Sequence, residues 1–351
     1  MVNSNTVVGS DSQSVAAGRA PSASPRRGPT LRSILVNQQV ILVMVLILLV
    51  VGFSILSPNF LTLGTAGNIF VQWAPLALIA AGETFVIVSG GIDLSVGSTI
   101  TISGVVAAFA MTALTTAGVG DSISIAVGIV VAALVGVTVG LVNAALINFA
   151  RLVPFVATLA TLGAGAGLAL VLTKGGPVSG GPPSAISLAN VWLGPLSWPV
   201  IFVILIIAVA GLYLHRSRFG RYTYAIGGNA FAATAAGISV RRHLTKVYAL
   251  SGLFAGLAGM ALYMQLGSGS PSAGSGNELQ AIAAVVIGGA SLTGGVGRMT
   301  GTVLGAFILT IVTSGLLVIN IDPNWNQIAV AILIAAAVSL QALRSVHRRK
   351  S

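Results

Sequence analysis

Six side chains in this sequence carry a carboxylate, and they are where chemistry is sought first: Asp11, Glu83, Asp93, Asp121, Glu278 and Asp322. A carboxylate moves protons, holds cations or accepts hydrogen bonds from a polar ligand, and its surroundings decide which. Glu83 lies in Ala80-Ala81-Gly82-Glu83-Thr84-Phe85, an apolar stretch where a charge is expensive unless it faces the protein interior or a wet cavity. Two roles fit it: a functional group beside such a cavity, or a hydrogen-bonded tie between helices. Asp93 follows Gly90-Gly91-Ile92 and precedes Leu94-Ser95-Val96-Gly97-Ser98, a place where one helix ends and the next begins. An Asp or Ser there accepts from the open N–H groups of the new helix, so Asp93 and Ser95 read first as caps. Glu278 opens a helix after the Gly/Ser-rich turn Gly267 to Gly276 and has a similar explanation. Asp121 and Asp322 fall in outer turns, where an Asp commonly caps a helix.

Other chemistries lack their residues. With no cysteine, disulfides, thiol nucleophiles, thiolate zinc sites and iron–sulfur clusters are excluded together. His215, His243 and His347 each stand among basic residues, with no pair at metal-ligand spacing, and a solvated interfacial role is expected of them. The sequence contains no Gly-x4-Gly-Lys-Ser/Thr phosphate loop, since Thr173-Lys174-Gly175-Gly176 lacks the spacing, and no Gly-x-Ser-x-Gly or His-Glu-x-x-His. The chain is therefore expected to be no enzyme, to hold no cofactor or metal, and not to hydrolyse a nucleotide itself.

These few polar groups are set in 351 residues that are 55% apolar and only 7% charged, against about 25% charged in a soluble domain. Uncharged runs of about 20 residues, the length that spans a bilayer, recur from Val40 to Leu343. The expected fold is an all-α polytopic membrane protein. Residues 1–36 read as a disordered cytoplasmic tail, 37–344 as the transmembrane domain and 345–351 as a basic cytoplasmic tail. Ten apolar runs fall near 40–56, 66–89, 95–117, 122–149, 153–173, 198–215, 246–266, 279–295, 300–320 and 325–343. Those at 66–89 and 279–295 fit a broken or re-entrant helix as well as a plain span. Ten spans with the N-terminus inside put sixteen of the 17 basic residues in cytoplasmic segments, with Lys174 the exception. The net charge of +11 is thus topology information, and it does not point to nucleic acid.

Two stretches stand out within this frame. Laying residues 86–109 over 284–307 without gaps matches eight of 24 positions, including Gly90/Gly288, Gly91/Gly289, Leu94/Leu292 and Gly97/Gly295. The shared Gly-Gly-x-x-Leu-Ser/Thr core marks either paired broken helices beside a path or close helix packing through small residues. The longest polar insertion, 216–246, contains Asn229, which caps a short Ala-rich helix over 230–236 that Gly237 then stops. A smooth helix between basic flanks either docks into a partner's groove or is an ordinary interfacial loop.

The run from Ala81 to Ser98, Ala-Gly-Glu-Thr-Phe-Val-Ile-Val-Ser-Gly-Gly-Ile-Asp-Leu-Ser-Val-Gly-Ser, closely resembles a segment of ribose/xylose/galactose-type sugar permeases of ATP-binding-cassette importers. Two further stretches agree in order: Gly220-Arg221 with Ala225 to Asn229 and Ala235 to Ile238, then Ala283 to Gly305 with its Gly-Gly-Ala-Ser-Leu-x-Gly-Gly-x-Gly run. The resemblance covers roughly residues 40–343. It implies a bacterial inner-membrane permease that passes a monosaccharide by alternating access, with both termini cytoplasmic. It also implies a second permease copy, identical or paralogous, an ATP-binding-cassette ATPase subunit and an extracytoplasmic sugar-binding protein as partners in the lipid bilayer. Gly228, Asn229, Ala232, Ala233 and Gly237 would couple to the ATPase, and Glu83, Asp93, Ser95, Gln72 and Glu278 would line the substrate path. That coupling helix often carries a charge just after Gly-Gly-Asn, whereas Ala230 and Phe231 follow here, which implies a more apolar contact.

Other classes remain open at this level. Branched-chain amino acid permeases share the late Gly-rich segment but usually lack Gly-Gly-Ile-Asp-Leu-Ser, which favours sugar. A proton- or sodium-coupled carrier needs more intramembrane charge than Glu83 supplies, and an intramembrane enzyme lacks its nucleophile and metal motifs.

Overall fold

Residues 38–56 run without a charge and form the first helix, α1 (Gln38–Leu56). The computed structural model describes residues 38–322 and, beyond them, 325, 328–333, 335, 336 and 339. The tails read at 1–36 and 345–351, and much of the run at 325–343, lie outside the described residues. After α1 come α2 (Leu63–Val88), α3 (Val96–Thr116), α4 (Asp121–Asn148), α5 (Pro154–Thr173) and the short α6 (Pro183–Ala189). A two-stranded ribbon, β1 (Trp192–Leu193) and β2 (Leu196–Ser197), leads into α7 (Trp198–Arg216), α8 (Arg218–Gly228) and α9 (Ala230–Ala235). The long α10 (Val240–Leu266), α11 (Asn277–Ile287) and α12 (Met299–Val318) follow, and the described residues 328–333 beyond them are helical as well. Among the described residues eight helices, α1 to α5, α7, α10 and α12, are long and apolar enough to cross a membrane. The protein is an all-α polytopic membrane protein.

Two of the expected spans take a particular form. The run at 66–89 is one continuous helix, α2, despite Pro75 inside it. Proline has no N–H to give the carbonyl of Val71 one turn back, and in a bilayer no water stands in for it. The Gln265 side chain of α10 donates to that carbonyl at 2.8 Å, so the helix survives its proline. The run at 279–295 is broken. Only Asn277–Ile287 is helical, about 16 Å of rise against a hydrocarbon core of about 30 Å. The segment 267–276, read as a Gly/Ser-rich turn, lies against α3. Gly269 lies against Val105 and Ala108, and the Gly274 N–H donates to Thr101 Oγ1 at 3.0 Å.

Lipid is as apolar as leucine, so helices in it associate by close packing through small residues and not by hiding apolar surface. The crossing of α4 and α10 shows this. A Cβ on Gly136 would overlap the Gly252 carbonyl, and one on Gly140 the Tyr248 carbonyl. The buried centre is α2, α3 and α10, while α1 turns Ile47, Leu48 and Ile55 outward. The two Gly-Gly segments also end their helices alike, but one residue out of the sequence match, so that Gly90 answers to Gly289 and not to Gly288. After α2, the N–H groups of Gly90 and Gly91 bond the carbonyls of Ile87 and Val86; after α11, those of Gly289 and Ala290 bond Val286 and Val285. With Gly90 at φ +88° and Gly289 at φ +94°, both helices stop in the same left-handed glycine cap.

Candidate functional site

The chain after α2 turns back into the protein. Three residues past Gly90, Asp93 is buried beside Glu83, whose Oε1 accepts from the Asp93 N–H at 3.1 Å. Asp93 Oδ1 accepts from Ser95 twice, from N–H at 3.0 Å and from Oγ at 2.6 Å, and from the Asn143 amide of α4 at 3.4 Å. Its Oδ2 accepts from the Ser251 hydroxyl of α10 at 3.0 Å. Asn143 also donates to Ser95 Oγ at 2.7 Å and accepts from Thr161 Oγ1 of α5 at 2.5 Å. Thr158, one turn earlier on α5, donates to the Ile92 carbonyl at 3.1 Å. Tyr248 of α10 brings its hydroxyl over Gly91; this oxygen and Glu83 Oε2 are buried without a hydrogen-bond partner.

Glu83, Asp93, Ser95, Asn143, Tyr248 and Ser251 are all buried. Their bonds run mainly to one another, so the cluster ties the start of α3 to α2, α4, α5 and α10. Of the two roles open to Glu83, this geometry favours the tie. Capping is only part of Asp93's work: Ser95 stands at the N-cap of α3 but makes no capping bond with its side chain, which turns to Asp93 instead. Among the described residues no group of three or more His, Cys, Asp or Glu is placed to hold a metal.

The other expected path residues lie apart from this cluster. Gln72 is on α2 with Glu83 but eleven residues earlier, about 16 Å along the helix, exposed, with its Oε1 accepting from Ser314 at 3.2 Å. Glu278 is in the first turn of α11, and Gly276, at φ +83°, holds the N-cap position in its place. Its Oε2 rests where a Cβ on Gly97 would be and has no hydrogen-bond partner. Asp121 is not a cap either: Gly120 takes that position, and Asp121 accepts from Ser184 at 2.6 Å.

At the end carrying α8 and α9 the local reading is sound. Asn229 has extended dihedrals and accepts the Ala232 N–H at 3.0 Å, and Gly237 ends the element at φ +82°. Only six residues are helical, and Ala233 faces inward at 4% exposure while Phe231 projects at 86%. His243 departs from the solvated role expected of it. It is buried, 2.9 Å from Thr223 Oγ1, with the Phe219 ring 4.4 Å away, because α8 folds back over the start of α10. His215 is exposed as expected, and His347 lies outside the described residues. Tyr224 of α8 donates to the Gly297 carbonyl at 2.7 Å. Burial raises its phenol pKa against the opposing charge of Arg298, so the hydroxyl keeps the proton it donates.

The sequence family described as "branched-chain amino acid transport system / permease component" matches residues 65–338. The chain belongs to this permease family. It is 39% identical over 298 residues, 84% of its own length and 90% of the relative's, to the ribose import permease protein of Escherichia coli strain K12. Over 302 residues it is 37% identical to the D-allose transport system permease protein of the same strain, covering 86% of this chain and 90% of the relative. The galactose/methyl galactoside import permease protein is 32% identical over 318 residues, 88% and 94% of the two chains. No solved structure matches.

The sequence reading of the permease missed Asn143, Ser251, Tyr248 and Thr161. Asn143 carried a signal, since an amide inside the apolar run 122–149 needs an interior partner for the reason Glu83 does. Ser251 and Thr161 carried none, because hydroxyls in spans bond their own preceding turn, as Thr161 also does to Ala157.

Proposed function

We propose that this permease is the membrane subunit of an ATP-driven importer that passes a monosaccharide of the ribose or hexose class into the cytoplasm. The observation that carries this reading is the set of relatives named for ribose, allose and galactose import, each matched over about nine-tenths of its length. A separate ATP-binding-cassette ATPase supplies the energy, an extracytoplasmic binding protein delivers the sugar, and a second permease copy completes the path. Both termini and 216–246 face the cytoplasm, in keeping with the distribution of Lys and Arg. Phe231, the large apolar side chain that α9 exposes, seats in an apolar pocket of the ATPase. Gln72 and Glu278 face the path, while Glu83, Asp93 and Ser95 hold its wall in register.

The test is uptake into proteoliposomes holding the permease, its ATPase and its binding protein, with labelled ribose, allose, galactose and leucine supplied in turn. ATP-dependent uptake of one sugar, unaffected by ionophores, is the expected result. Leucine uptake favours the amino-acid reading that the family description raises, and uptake abolished by an ionophore but not by ATP depletion overturns the ATP-driven one.

A further inference from the structure

We propose that Gly227 is the pivot through which α9 moves the Glu83–Asp93 tie, by way of a backbone latch joining the end of α8 to the helix breaks after α2 and α11. The proposal rests on the import reading above, in which α9 is the element that meets the ATPase. One capping residue, Asn229, separates Gly228 at the end of α8 from α9, so a displacement of α9 reaches Gly227 and Gly228 first.

There the chain has no room to slip. A Cβ on Gly227 would overlap the Val88 carbonyl oxygen and stand 2.6 Å from the Gly295 nitrogen. Those two groups are bonded to each other, the Gly295 N–H donating to the Val88 carbonyl at 2.9 Å. Gly227 therefore presses on the hydrogen bond that joins the two breaks. A Cβ on Gly294 would lie 2.8 Å from the Gly227 carbonyl oxygen and 2.9 Å from Gly90 Cα, and one on Gly295 3.0 Å from Gly228 Cα. Gly90, Gly294 and Gly295 all have positive φ, at +88°, +84° and +73°, so other residues are strained there whatever the space. Tyr224, one turn before Gly228, fastens the same loop through the Gly297 carbonyl.

Bare backbones at contact distance have no rotamers through which to absorb a shift, so movement of one segment displaces its neighbours. On the α2 side, five residues lead from Val88 to Asp93, which bonds Glu83 and, through Ser251 and Asn143, α10 and α4. On the other side the loop leads back to α11, which carries Glu278 against Gly97 at the start of α3. Both copies of the repeat are thus gripped at one point beside the cytoplasmic helix.

The test uses the complete importer in proteoliposomes. Gly227→Ala is expected to insert, bind the ATPase and keep basal hydrolysis, while uptake and substrate-stimulated hydrolysis fall by about tenfold, within the usual span of coupling free energies. Gly64→Ala makes the same change in a helix where a Cβ meets nothing within 4 Å, and is expected to transport normally. Gly227→Ala uptake within about twofold of the parent overturns the latch. Should Gly227→Ala fail to assemble, spin labels decide. In a chain without native cysteine, labels at Ala236→Cys and Val296→Cys, both exposed, are expected to hold their mutual distance when ATP binds while both move relative to a label at Ser179→Cys. A 236–296 distance that shifts with ATP overturns the latch. Absence of ATP-driven uptake by the parent protein overturns the import reading instead.

Discussion

Asp93 accepts from Ser95, Asn143 and Ser251 in the packed centre of the bundle, so removing one partner leaves others buried without a bond. Asn143→Ala strips donors from Asp93 and Ser95 and the acceptor from Thr161, and it is expected to lower unfolding stability in detergent by about 1–3 kcal/mol. Because Asn143 and Ser251 act on one carboxylate, the double variant Asn143→Ala/Ser251→Ala should depart from additivity by about 0.5–3 kcal/mol. Additive losses would mean that the two contacts are independent and no tie exists. Glu83→Gln keeps the oxygen that accepts the Asp93 N–H, so a tie predicts near-normal stability and uptake for it, and loss of both for Glu83→Leu. A stable Glu83→Gln protein that no longer transports would return Glu83 to the substrate path. The cost of an intramembrane carboxylate was readable from the six residues around Glu83. Its partners were not, since Ser251 lies 158 positions from Asp93 and no local pattern marks it.

At the scale of elements the glycines decide how closely helices approach. A Cβ on Gly252 would overlap the Gly136 carbonyl oxygen and stand 2.9 Å from its carbon, whereas one on Gly163 meets nothing within 4 Å. Gly252→Ala is therefore expected to cost about 1–3 kcal/mol by forcing α4 and α10 apart, and Gly163→Ala to cost nothing measurable, both read from unfolding midpoints in detergent. Equal midpoints would refute the close crossing. α9 makes the contrast between a buried and a projecting face. Phe231→Ala should leave the permease folded and weaken ATPase pull-down by about 2 kcal/mol or more, the loss typical of a central interface aromatic. Ala233→Glu should unfold this end, because Ala233 is an interior residue. Undiminished pull-down by Phe231→Ala would place the ATPase contact elsewhere. Asn229 and Gly237 were legible because cap and stop are written within a few residues. The fold-back that buries His243 was not, since it depends on α8 packing across α10.

Across the whole molecule the basic residues predict the orientation. A cysteine at Ala236 should react with an impermeant thiol reagent only from the cytoplasmic face, and one at Ser179 only from outside, a check made simple by the absence of native cysteine. Labelling of Ala236→Cys from outside would reverse the topology and remove α9 from reach of any cytoplasmic ATPase.

Composition and spacing alone determined that this is an all-α membrane protein, where most of its spans lie and that it carries a Gly-Gly repeat, and each of these follows from the dielectric of the bilayer or from backbone conformations set within a turn or two of chain. The family was legible only as a resemblance, carried by three motifs in order. Only the tertiary structure decided that the run at 66–89 is unbroken and that at 279–295 is half a helix. The first outcome depends on Gln265 reaching the Val71 carbonyl freed by Pro75, and the second on Gly274 and Gly97 letting a non-helical segment lie against α3. Backbone groups in lipid are satisfied by whatever neighbour arrives, and which neighbour arrives is a property of the folded bundle.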